Sequence, residues 1–168
     1  MDHTVVSGGL RASALAHEQG IPVVGDIEDE TGPGVAELMR QIDHLIVGVE
    51  LAERVTGKGE PAAMVHALCA GKQACCAVTA GEQGCWYAER GGEVQHVSAF
   101  KVQVVDTTGC GDVFHGAYAA AIAQGDSVPT AIRVASATAA LKATQPGGRR
   151  GIPNRAQVGS LLGGHGLC

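Results

Sequence analysis

The stretch VVDTTGCGDVFHG, Val104–Gly116, puts two glycines and two carboxylates where an apolar run hands over to an apolar-periodic segment. Val102–Asp106 has the β-branched character of a strand, and Val113–Gln124 places Phe114, Ala117, Tyr118 and Ala121 at helical spacing. Between them, the glycines let the backbone fold so that successive N–H groups face one point. A helix starting near Asp112 adds its positive end and its unpaired N–H groups, so the turn predicts an anion pocket with a carboxylate inside it. The dipole keeps such a carboxylate ionised, able to accept a hydroxyl proton while the N–H groups steady a transferring phosphoryl group. The plain alternative is a helix N-terminus on which Asp112 is only a cap. Two other phosphate loops do not fit. A G-x-G-x-x-G fingerprint needs glycine where Phe114 stands, and a Walker A loop needs G-K-[ST], whereas TGKGE puts Gly59 after Lys58.

Outward from this turn the chain alternates helix and strand. Upstream, Arg11–Gln19 predicts a helix stopped by Gly20, Ile21–Asp26 a buried strand, and the segment from about Pro33 a helix with proline in its first turn. DHLIVG is a second strand, followed by a helix ending at Gly57, a helix with Pro61 near its start and Gly71 after its end, and a third strand in QACCAVTAG. CWYAE and EVQHVSA flank a turn and read as a hairpin or meander. Downstream, Ser127 caps a helix carrying AIRVASATAALKAT, and Asn154 with Gln157 forms a capping-box pair before the last helix. Strands separated by helices predict an α/β fold: a three-layer α/β/α sandwich with a mostly parallel sheet, in a single domain over 1–168. Ligands of such sheets bind beyond the strand C-termini, where Thr79–Gly84, Asp106–Asp112 and Gly147–Gly151 are glycine-marked loops.

Bulk composition narrows the function classes. The 168 residues are 45% hydrophobic and 17% charged, as in a globular domain with a real core, and aromatics at 3% leave that core to Ala, Val, Leu and Ile. A net charge of -5 without a basic run gives no footprint for nucleic acid. No apolar stretch reaches the roughly 18 residues of a membrane span, and MDHTVVSGGLR is not a signal peptide. Six cysteines without a C-x-x-C pair read as free thiols of a cytoplasmic protein, with Cys75 and Cys76 on opposite faces of a strand. Cys110, at a helix N-terminus, is in a setting that lowers a thiol pKa. The seven histidines, His3 and His165 among them, form no metal pattern, and Trp86 reads as packing at the core or sheet edge. Arg149 and Arg150 read as solvated loop charges within reach of a phosphate.

The segment Val104–Ile122 resembles the C-terminal signature of the ribokinase-like (PfkB-type) carbohydrate kinases, D-T-x-G-A-G-D-x-F, with Cys110 in place of alanine. AVTAGEQGCWY is similar to that family's nucleotide strand and loop, and VASATAALKATQPGGRRGIP to its closing helix and cation loop. The resemblance implies an ATP-dependent kinase acting on a hydroxyl of a sugar, with Asp112 as base and the backbone at Gly109, Cys110 and Gly111 as anion hole. It implies nucleotide contacts at Thr79, Gly81, Gly84 and Ser136, a potassium site at Asp106, Thr108, Gly147 and Gly151, and Mg2+ held by phosphates and water. Two departures accompany it. The N-x-x-E positions before the family's L-T-G hold Gly48 and Leu51, with Glu50 and Glu53 out of register. The chain is also about half a family member's length, matching its C-terminal, nucleotide-binding half. These departures imply a kinase incomplete in this chain, either cut short or completed by a separate N-terminal half, and the exposed edge of a half-sheet predicts pairing, as in a homodimer. The alternative is a non-catalytic nucleotide-binding or oligomer-forming remnant.

Overall fold

The computed structural model describes residues 4–163, so His3, His165 and Cys168 lie outside the described residues. The elements are α1 (Val6–Glu18), β1 (Val24–Asp26), α2 (Val35–Gln41), β2 (His44–Gly48), α3 (Val49–Thr56), α4 (Pro61–Leu68), β3 (Cys75–Thr79) and a 3-10 turn (Gly81–Gln83). Then follow β4 (Cys85–Glu89), β5 (Gln95–Val97), α5 (Cys110–Ala123), α6 (Val128–Ala143) and α7 (Arg155–Gly163). They fall into two compact units. One comprises the described residues up to Ala80 with Cys85–His96, and the other Gly81–Gly84 with the residues from Val97 onward.

The first unit is built on a five-stranded sheet of order β1-β2-β3-β4-β5. Its first three strands are parallel, with Ile46 opposite Ala77, while β4 runs antiparallel to β3, so the sheet is mixed. Continuous apolar runs make the centre: the first four residues of β2 and of β3 are all buried, as expected of strands covered on both faces. One face carries Leu45, Val47, Cys76 and Val78 into a core shared with Leu38, Ile42, Leu51, Met64 and Val65. Cys76 belongs to that core and Cys75, equally buried, does not, as adjacent strand residues require.

Three boundaries differ from the sequence reading. Helix α1 begins at Val6 rather than Arg11, and its Gly9 lies buried against Leu38 of α2. Strand β1 starts at Val24 rather than Ile21, since Pro22 has no N–H to give and the Val23 N–H is taken by the Asp43 carboxylate at 2.8 Å. Helix α2 begins at Val35, after Gly34 at φ 83°, so Pro33 precedes the helix instead of opening it.

In the second unit α5 and α6 pack together and α7 packs on α6. The predicted caps form: the Ser127 hydroxyl accepts from the Thr130 N–H at 3.4 Å, and Asn154 and Gln157 exchange bonds of 3.0 and 2.8 Å. The expected strand at Val102–Asp106 is absent. The N–H groups of Val105 and Asp106 both donate to the Ala143 carbonyl at the end of α6, at 2.8 and 3.1 Å, and Val104 and Val105 are exposed. β-branched residues favour extended backbone, but a strand also needs a neighbouring strand to take its hydrogen bonds.

Candidate active site

The DTTGCGD turn is fixed by its own first carboxylate. Asp106 accepts from the Thr108 N–H at 2.8 Å through Oδ1 and from the Gly147 N–H at 2.7 Å through Oδ2. The 106–109 turn and the 145–151 loop are thereby tied together. These bonds, the Thr108 N–H foremost, hold the Asp106 carboxyl down to about 2, against an ordinary 3.8. A carboxyl whose folded value lies below its unfolded one adds stability above the unfolded value and loses it as pH falls through the folded one. Asp106→Asn is therefore expected to lower Tm at pH 7, with the difference from wild type closing as pH drops from about 4 towards 2. Thermal unfolding of both proteins across that range checks it, and a gap that stays constant contradicts it.

The chain then turns through Gly109, which caps α5 at φ 73°, ψ 12°. A Cβ there would lie 3.3 Å from the Gly148 carbonyl oxygen and 3.4 Å from Asp112 Oδ2. Helix α5 starts at Cys110, three residues earlier than Val113, so Asp112 occupies the third position of the first turn. The Cys110 N–H donates to the Thr107 carbonyl at 3.0 Å. The N–H groups of Gly109, Gly111 and Asp112 have no protein acceptor among the described residues, and the Asp112 carboxylate has no hydrogen-bond or ion-pair partner there. A free carboxylate thus sits among free N–H groups at the positive end of a 14-residue helix.

Asp112 opens on a cavity of about 820 Å³, walled by Gly116, Ala117 and Ala120 of α5, Thr138 of α6, Val158 of α7, and Gly148 with Arg149. That volume suits a small molecule. Cys110 turns the other way, its Sγ 3.6 Å from the Ala139 carbonyl oxygen. The expectation of a lowered thiol pKa is overturned. Cys110 is half-buried, and desolvation pushes the thiol up, only partly opposed by the charge of Lys142. All five cysteines among the described residues are free thiols.

Ser136, one helical turn before Ala139, has a buried hydroxyl with no hydrogen-bond partner. Val134 and Thr138 line the cavity, so Ser136, two residues from each, points to roughly the opposite side of α6. The turn therefore has two flanks, with Asp112 and the cavity on one and Cys110, Ala139 and Ser136 on the other. Gly81 and Gly84 lie in the same unit, in a turn closed by the Gly84 N–H donating to the Gly81 carbonyl at 3.1 Å. Thr79 belongs to the first unit, where its hydroxyl donates to the Val47 carbonyl at 3.4 Å. Trp86, in that same unit, stacks on His96 with ring centroids 4.1 Å apart. Gly48 caps α3 and Leu51 is buried in the core, so neither presents a polar group. The Glu50 carboxylate instead curls back, with Oε2 3.4 Å from where a side chain at position 48 would begin.

Sequence reasoning missed Lys142. It is fully buried on α6, and its Nζ donates to the Asp106 carbonyl at 2.9 Å. The available signal was periodicity, since Ala131, Ala135, Thr138 and Lys142 form one buried stripe of α6.

These features set a free carboxylate beside free N–H groups on a glycine turn, and comparison with known proteins gives the class. The family profile of the pfkB family carbohydrate kinases matches residues 6–155, and the chain belongs to that family. It is 40% identical to the ribokinase of Bacillus subtilis over 85 residues, 51% of this chain and 29% of that protein. A candidate ribokinase from Agrobacterium tumefaciens superimposes with TM-score 0.89 at 32% identity, covering 95% of this chain and 53% of the other. Arabidopsis thaliana ribokinase, solved with ribose and ATP, superimposes with TM-score 0.83 at 28% identity, over 92% and 52% of the two chains. The chain thus spans about half the length of these solved relatives. Among the described residues no helix is long and apolar enough to cross a membrane.

Proposed function

We propose that this chain carries the nucleotide-binding and phosphoryl-transfer part of a sugar kinase, corresponding to the C-terminal half of a three-layer ribokinase-like fold. The observation that carries this reading is Asp112: an unpartnered carboxylate in the first turn of α5, beside three free N–H groups, at the mouth of a cavity. On this reading ATP approaches from the Ser136 flank, where the unsatisfied hydroxyl offers it a hydrogen bond. Its terminal phosphate meets the N–H groups of Gly109, Gly111 and Asp112, and a sugar hydroxyl approaches from the cavity.

In this reaction the sugar oxygen bonds to the terminal phosphorus as the bond to the ADP oxygen breaks, and Asp112 takes the hydroxyl proton. The N–H groups and the helix end offset the charge gathering on the phosphoryl oxygens. Mg2+ would screen the phosphates. Among the described residues no cluster of three or more His, Cys, Asp or Glu could hold it, so it would be carried by the nucleotide and water.

A second reading, nucleotide binding without transfer, is favoured by Gly48 and Leu51, whose positions present no polar side chain. The first test is an ATP titration followed at the backbone amides. Saturable binding is expected to move the resonances of the turn from Gly109 to Asp112.

A further inference from the structure

We propose that the Lys142 ammonium is the built-in monovalent cation of this loop, occupying the role for which the family resemblance implies potassium. The inference rests on the reading of the turn as a phosphate loop, but its test does not require the protein to bind ATP.

The Asp106 oxygens of the implied potassium site already have partners. Both carboxylate oxygens of Asp106 are engaged by N–H groups, from Thr108 and Gly147, and its carbonyl oxygen accepts from Lys142. Gly151 closes the loop against the end of α6: a Cβ there would lie 2.7 Å from the Lys142 carbonyl oxygen and 2.8 Å from Gln145 Cβ. The 106–109 turn and the 145–151 loop thus converge where the lysine already places a positive charge.

The manner of its burial also points to a cation's role. An ammonium withdrawn from water is costly unless negative groups surround it. Among the described residues Lys142 makes no ion-pair contact with a carboxylate, although the Asp106 carboxylate lies near enough for its charge to be felt. Its recorded acceptor is a carbonyl, and it sits in the last turn of α6, where the helix end carries partial negative charge. Carbonyl oxygens with a helix C-terminus are how proteins hold a bare monovalent ion, and here the ion is tethered to the chain. An added potassium ion would meet a like charge at short range.

Thermal unfolding in KCl and in choline chloride at equal ionic strength tests the assignment. Wild type is expected to unfold at the same temperature in both salts. Lys142→Met, which keeps the apolar stem and removes the charge, is expected to lose about 5 °C or more in choline and to recover much of it in KCl. A wild-type protein stabilised by several degrees in KCl over choline overturns the proposal, as does a folded Lys142→Met indifferent to potassium. If the variant does not fold in either salt, the wild-type comparison decides alone. Failure to bind ATP with this salt pattern intact would refute the kinase reading and leave the cation assignment standing.

Discussion

Asp112→Asn, assayed with the complementary half that the proposed kinase requires, is expected to reduce ATP-dependent phosphorylation of a sugar by about a hundredfold to ten-thousandfold, the range a positioned general base contributes. Asparagine keeps the size of the side chain and leaves the backbone N–H groups in place, but it cannot accept the hydroxyl proton. ATP affinity should therefore stay within about threefold of wild type, or rise as a charge facing the phosphates is removed. The measurement is sugar phosphate and ADP formation with a panel of pentoses and hexoses, beside an ATP titration, for both proteins. Asp112 is exposed and unpartnered, so the substitution breaks no contact in the protein. Unchanged transfer in the variant would remove Asp112 from the reaction.

Gly84→Ala is expected to have the largest effect on stability. Gly84 sits at φ 98°, and an added Cβ would lie 2.1 Å from the Val97 carbonyl oxygen and 2.9 Å from the Ala99 N. Both neighbours are backbone, so no side chain can rotate away and the 81–84 turn or the 97–99 segment must move. Left-handed strain and overpacking together cost about 2–5 kcal/mol, which in a chain of this size lowers Tm by roughly 5–15 °C. Gly91→Ala separates the two contributions. Gly91 has a similar φ of 72° but open space around it, so its cost should be the conformational part alone, about 1–2 kcal/mol. Equal Tm losses in the two variants would contradict the close approach at Gly84. On the kinase reading Gly84→Ala also weakens ATP binding, whereas Gly91→Ala does not.

The parts of this fold that were legible in the sequence are those decided by neighbouring residues. Ser127, Asn154 with Gln157, and Gly57 each mark a helix end through bonds or backbone angles within a few positions. The buried runs of β2 and β3 announced themselves because both faces of each strand are covered. What escaped depends on partners far along the chain. Val102–Asp106 has the composition of a strand, yet its N–H groups go to Ala143, nearly forty positions away. The Cys110 thiol lies at a helix N-terminus, as its sequence implied, but its pKa follows burial, which the local sequence does not encode. Lys142 reads as a surface residue until α6 is seen to bury a stripe that ends on it, 36 positions from the carbonyl it bonds.

The candidate site divides the same way. Glycine spacing and a carboxylate in a helix's first turn were readable, and the turn forms with Asp112 in it. The distribution of its N–H groups was not: the Cys110 N–H is taken by Thr107, while those of Gly109, Gly111 and Asp112 have no protein acceptor among the described residues. Nor was the split of the turn into a cavity flank and a Ser136 flank, which depends on how α6 is rotated against α5.

The central claim is that this turn receives the phosphates of a nucleotide. Titrating the isotope-labelled chain with ATP and Mg2+ while following backbone amides tests it most directly. The account predicts saturable shifts at Gly109, Gly111 and Asp112, with AMP, which lacks the terminal phosphates, moving these three far less. Saturable ATP binding that leaves all three unchanged, or no binding at millimolar nucleotide, would contradict it.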